Sequence, residues 1–324
     1  MAPRRRTVVG LVAAIAGVAL LVWQIRAAGP AAIADRLSQV GWWFVAILGL
    51  SFGRLLLRSI AWRALMGNAA PLGRTLAATM GGDAIGNLSF LNLLISEPAK
   101  AAYIGRDVGT ARAFAALTAE NFFYSVSVAV YILIGTAALL YAFQGHLPEP
   151  VVWSGVGALA LMAVILAGAG WMAVARPAIA SEIVRRVPIA GVAKWADRVK
   201  QFEALTYGSA GSSGRLTTAL AAQVGFHVLS FVETWLTLWL LAGAADALAA
   251  FILDTANRIV NVVFRFVPMR AGVDEITSES VASSIGLATG IGTAMGLVRK
   301  ARVLTWAAVG LAVWVRRGLL WGKA

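Results

Sequence analysis

Cysteine is absent from the 324 residues, histidine occurs twice, and charged side chains make up only 13% of the chain. The first absence excludes disulfides, thiol catalysis and cysteine-ligated metals, and two histidines leave little for a histidine metal cluster. No paired Asp cluster on a loop offers a divalent cation its ligands, and neither a nucleophile elbow nor a histidine pair for phosphatase chemistry is found. No metal and no cofactor are therefore expected. Acidic residues are also scarce, 15 against 28 Lys and Arg, for a formal net charge of +13. That balance invites a nucleic-acid reading, but most of the cations lie in short loops between apolar runs, where the positive-inside rule puts them. No nucleic-acid partner is expected.

What fills the chain instead is apolar, with 60% hydrophobic residues and a mean hydropathy of +0.78. Runs of about twenty such residues, enough to span a bilayer core, recur along the whole length. They predict an all-α polytopic membrane protein of about seven full spans, one integral domain over 1–324. Within it we read 1–40 as an N-terminal span and interfacial helix, 41–175 as a first repeat, 176–214 as a cytoplasmic connector and 215–324 as a second repeat.

Arg4, Arg5 and Arg6 precede an apolar run at 7–25 that exceeds a signal peptide's apolar region, so it reads as an uncleaved span with the N-terminus cytoplasmic. A short amphipathic stretch over 31–40 leads to Trp42 and Trp43, an interfacial anchor for a second span ending near Met66. Further spans are expected at 113–143, up to 175, and at 216–241, with GHLPEP, free of Lys and Arg, as an external loop. A sixth descends over 276–298 to Arg299, Lys300 and Arg302, read as a cytoplasmic turn, and a seventh climbs over 303–320.

Two polar, proline-bearing stretches match each other: NLSFLNLLISEPAK at 87–100 and NRIVNVVFRFVPMR at 257–270. Asn87 and Asn257, Pro98 and Pro268, and Lys100 and Arg270 share one offset, 170 positions (257 less 87). A backbone break and a charge are costly in hydrophobic sequence unless they line a cavity or bury in protein. The stretch 75–105 therefore reads as a re-entrant helical hairpin, with arms of about fifteen residues reaching roughly 22 Å. A second hairpin begins at Ala247, and Pro98, Pro268 and Gly272 mark the breaks. Three intervening spans, an odd number, make the hairpins open on opposite faces, as in an inverted repeat whose sites meet near the midplane.

Ser96 is a plausible N-cap for the second arm, placing Glu97, a positive dipole end and Lys100 together, a setting that suits a phosphate. Asp254 and Arg258 share a helix face with Arg265; they either neutralise each other or line the cavity. Arg265 and Arg270 lack an upstream carboxylate and suit bidentate phosphate binding, unless Asp274 and Glu275 neutralise Arg270. Arg54 and Arg58 lie in the inner half of the second span, placed to reach a headgroup or to snorkel. Lys100, Arg258, Arg265, Arg270, Glu97 and Arg54 are thus the candidate substrate-binding residues. Glu120, Glu233 and Asp254 are candidates for proton coupling, while Asn121 and His227 read as helix–helix hydrogen-bonding residues.

SEPAKAAYI at 96–104, VPMRAGVDE at 267–275 and GLVRKARVLTWAAVGL after it resemble elements of the transmembrane, flippase-like domain of lysylphosphatidylglycerol synthases and its stand-alone bacterial relatives. The resemblance runs from about residue 40 onward. Ser96, the run PMRAG and Glu120 followed by Asn121 depart from the family's usual residues. The resemblance implies a stand-alone, non-enzymatic translocator, without the aminoacyltransferase domain, in the bacterial inner membrane. Its expected partner is a phosphate-bearing lipid or lipid-linked intermediate. A membrane-embedded enzyme of lipid or lipid-linked glycan synthesis and an ion-coupled small-solute transporter remain the alternatives.

Overall fold

The structure, a computed structural model, describes residues 30–88, 92–186, 195–244, 246–264 and 272–320. Among them every regular element is helical. An amphipathic helix α1 (Pro30–Val40) passes through a 3₁₀ turn, Gly41–Trp43, into α2 (Phe44–Leu65). Trp42 and Trp43 stay exposed there, and Trp43 meets Trp239 edge to face at 6.1 Å. The helices α3 (Leu72–Leu88) and α4 (Asn92–Val108) follow, then the long α5 (Thr110–Ala142) and α6 (Glu149–Ala175). Two short helices, α7 (Ile179–Arg186) and α8 (Ala196–Ser209), lead to α9 (Ser213–Ala242). The last three are α10 (Ala247–Val263), α11 (Val273–Ser284) and α12 (Ile291–Leu320).

Four described segments are long and apolar enough to cross a membrane: Ser38–Leu65, Thr110–Ala142, Glu149–Ala175 and Ser213–Ala242. They match the expected spans at each position. The α6 helix is the most apolar and carries its large side chains outward, with Trp153, Val164 and Val174 exposed, as a lipid-facing surface requires. The run at 7–25 lies outside the described residues.

Packing follows one scheme in both halves of the chain. The helices α2 and α9 pack along each other, α3 lies on α12, and α10 lies on α5. Within the first half α3 packs on α4, α4 on α5 and α5 on α2; within the second, α10 packs on α11, α11 on α12 and α12 on α9. Indole donors fasten two of these seams. Buried Trp62 of α2 donates to the Ala113 carbonyl at 3.0 Å, and Trp314 of α12 to the Ala77 carbonyl at 2.9 Å.

The C-terminal part differs from the expected sixth and seventh spans. Instead of spans at 276–298 and 303–320, a 12-residue helix α11 ends at Ser284, and after a bend one unbroken 30-residue helix α12 runs through Arg299, Lys300 and Arg302. These cations are buried rather than solvated, and two of them meet carboxylates, Lys300 pairing with Glu275 and Arg302 with Glu233. Charge that is paired inside the protein does not need a loop.

The first hairpin stretch also differs in detail. α3 ends at Leu88 and α4 begins at Asn92, so Pro98 lies inside α4. Ser96 is therefore a buried helical residue and not an N-cap. Proline there removes the N–H that would reach the Leu94 carbonyl, but Leu94 is exposed. In the second stretch Gly272 does mark a break, with φ +83° at the N-cap of α11, where its N–H donates to the Glu275 carboxylate at 3.1 Å. Pro268, the other named break, lies outside the described residues.

Candidate functional site

Between the two halves lies a cavity of about 330 Å³, within the size range of small-ligand pockets. Its walls come from α2, α3, α5, α6, α9, α10 and α12, so neither half forms it alone. Five guanidinium groups line it: Arg54, Arg58, Arg258, Arg299 and Arg302. Among the described lining residues the only carboxylate is Asp83, beside Asn87, Asn257 and Asn261.

Most of these cations are held from behind. Arg58 grips Glu120 with two donors, Nε at 3.1 Å and Nη2 at 2.7 Å, and Gln223 donates to the same carboxylate at 3.0 Å. Arg258 binds Asp254 at 2.9 Å, and Ser230 and Thr234 donate to the other Asp254 oxygen at 3.0 and 3.2 Å. Glu233 is shared, taking Arg54 at 2.8 Å and Arg302 at 2.7 Å. Aromatic faces fix three guanidiniums further: Arg54 over Phe226, Arg58 over Tyr124 and Arg258 over Tyr131, at 4.8, 4.7 and 4.0 Å from the ring centres. The remaining one, Arg299, is buried and has no carboxylate partner among the described residues. It shares a small adjoining crevice with Glu233.

The candidates named from sequence therefore separate into layers. Arg54 and Arg258 line the cavity; Glu120, Glu233 and Asp254 stand behind it as partners of arginines. Lys100 and Glu97 are one layer deeper. Lys100 is 1% exposed, bound to Asp83 at 2.6 Å and to Glu97 at 2.9 Å, and Asn121 links Glu97 to Arg58. Gly82 makes room for this lysine, since a Cβ there would stand 2.3 Å from its Cγ. Arg58, one of whose readings was snorkelling, turns inward instead, because a bidentate carboxylate inside the protein outweighs a reach toward the headgroups. Arg258 pairs with Asp254, the neutralising one of its two readings, and Lys100 is paired as well. Arg265 and Arg270 lie between α10 and α11, outside the described residues.

His227 joins α9 to α5 through Ser127 at 2.9 Å, as a helix–helix hydrogen-bonding residue does. Arg299, Arg302 and Trp306 were missed, because their cluster of cations read as a loop. Their spacing held the signal: 299, 302 and 306 fall on one helix face, interleaved with the buried positions 298, 301, 304 and 307. Among the described residues no group of three His, Asp or Glu side chains gathers as a metal ion needs.

No curated protein and no solved structure matches the chain. A family model does: that of the lysylphosphatidylglycerol synthase TM region matches residues 8–312. The chain is an all-helical, multi-pass member of the lysylphosphatidylglycerol synthase transmembrane family.

Proposed function

We propose that this chain is a lipid translocator and not an enzyme, moving a phosphate-bearing lipid or lipid-linked intermediate across the bacterial inner membrane. The observation that carries the proposal is the arginine-lined cavity enclosed by both halves of a membrane-spanning body. Guanidiniums keep their charge at any physiological pH and fork onto phosphate oxygens, and cations at membrane depth are expensive unless they serve such a purpose. Membership in a family of lipid-synthase membrane regions supports a lipid substrate.

Translocation needs a site that opens in turn to each leaflet, and an inverted repeat supplies one. Two features support that architecture here. The contacts among α2, α3, α4 and α5 each have a counterpart among α9, α10, α11 and α12. The ion pairs across equivalent helices are exchanged in sign: Arg58 of α2 meets Glu120 of α5, whereas Glu233 of α9 meets Arg302 of α12. In this reading α3 with α4, and α10 with α11, are the re-entrant hairpins. Their 17-residue helices α3, α4 and α10 reach about 25 Å, short of a full crossing once tilted.

The test is reconstitution into vesicles carrying a fluorescent short-tailed phosphate lipid in both leaflets. The expected result is protein-dependent exchange between leaflets, seen as loss of protection from a membrane-impermeant quencher, with the lipid chemically unchanged. Recovery of a covalently altered lipid without exchange would establish the enzyme reading instead.

A further inference from the structure

Four N–H donors of cavity-lining residues are buried without a hydrogen-bond partner: Arg54 Nε, Arg299 Nη1, Arg302 Nε and Trp306 Nε1. Among the described residues every unpartnered buried polar atom of the lining is a donor and none is an acceptor. A buried donor without an acceptor is costly, and three of these four come from one face of α12. Stacking of the Trp306 ring on Phe52, with centroids 5.7 Å apart, holds the indole in place.

The charges at this end are also out of balance. Among the described residues Arg54, Arg299 and Arg302 answer to one carboxylate, Glu233, which leaves two positive charges in excess. Elsewhere on the cavity wall Arg58 has Glu120 and Arg258 has Asp254, one to one, and Asp83 with Glu97 behind it shares Lys100. A phosphodiester brings a single negative charge. A phosphomonoester above its second pKa of about 6 brings nearly two, with three strong acceptor oxygens.

We infer that Arg54, Arg299, Arg302 and Trp306 form a subsite for a dianionic phosphate group, a terminal phosphomonoester or diphosphate, in preference to a phosphodiester. The inference rests on the translocator reading for its lipid, but its charge argument stands on the cavity alone. Three guanidiniums and an indole supply the free donors, while Glu233 holds Arg54 and Arg302 in register.

Purified full-length protein in detergent, titrated calorimetrically at pH 8, tests this directly. The probes are dihexanoyl phosphatidate, farnesyl diphosphate, dihexanoyl phosphatidylglycerol, inorganic phosphate and pyrophosphate. The dianionic lipids should bind at least about tenfold tighter than the diester, a difference of roughly 1.4 kcal/mol. Tighter binding of the lipid probes than of the inorganic ones assigns the site to a headgroup; the reverse order assigns it to a free anion. Phosphatidate binding should weaken as pH falls through about 6 and the second charge is lost. Arg299→Gln should abolish the dianion preference while raising the thermal midpoint of the unliganded protein, since an uncompensated buried cation is removed. Should that variant misfold, Trp306→Phe, which deletes one donor and no charge, should weaken both dianionic lipids severalfold. Diester binding as tight as that of the dianions, or an intact preference in Arg299→Gln, overturns the inference. Selectivity without leaflet exchange in vesicles keeps the subsite and refutes the translocator; exchange without selectivity does the opposite.

Discussion

At the scale of single residues, Glu233 is the pivot of the cavity, because two arginines from different helices depend on it and a third stands beside it. Glu233→Gln should therefore destabilise the protein by about 3–5 kcal/mol, the usual cost of leaving buried charge uncompensated, read as a lower thermal midpoint in detergent. Glu120 and Glu233 are both held in ion pairs by guanidiniums. Glu120→Gln and Glu233→Gln should leave any dependence of transport on a proton gradient unchanged; a lost gradient dependence would restore them as coupling groups. That these residues matter was legible in the sequence, since a charge inside an apolar run is rare and must be answered. Their partners were not, because the pairs lie 62, 179 and 69 positions apart and only the fold brings them together.

At the scale of elements, the seam between α3 and α12 sets the cavity's shape, and it is made by close approach. Gly310 of α12 stands so near α3 that a Cβ would lie 2.3 Å from the Met80 carbonyl oxygen, a backbone atom that cannot swing aside. Gly310→Ala should part these helices and cost about 1–3 kcal/mol, whereas Gly168→Ala on α6, where a Cβ meets nothing within 4 Å, should be neutral or slightly stabilising. Thermal unfolding of the two variants side by side checks this. Helix positions were readable to within a few residues wherever apolar runs were long, as for α5, α6 and α9. They failed where charge or proline was taken for a boundary. Arg299 sits buried within α12, and Pro98, itself exposed, sits within α4 because Ser96, Glu97 and Lys100 around it are buried, so packing overrode the local signal.

At the scale of the whole molecule, the two halves enclose one cavity. The topology is open to labelling, since the chain has no cysteine of its own. Single cysteines at Gln144 and Ala244, both in exposed turns, should react with an impermeant thiol reagent from outside the cell. Those at Ala69 and Ser212 should react only after permeabilisation. Ala69 and Ala244 precede α3 and α10, so labelling of both from one side would mean that the two hairpins open together. The measurement that tests the central claim most directly uses the same background in the leaflet-exchange assay. Ser125 lines the cavity and is solvent-exposed, whereas Val164 faces outward on α6. A bulky thiol adduct on Ser125→Cys should stop lipid exchange, and the same adduct on Val164→Cys should leave it unchanged. Undiminished exchange with the cavity so filled would contradict the claim that the lipid's headgroup passes through it.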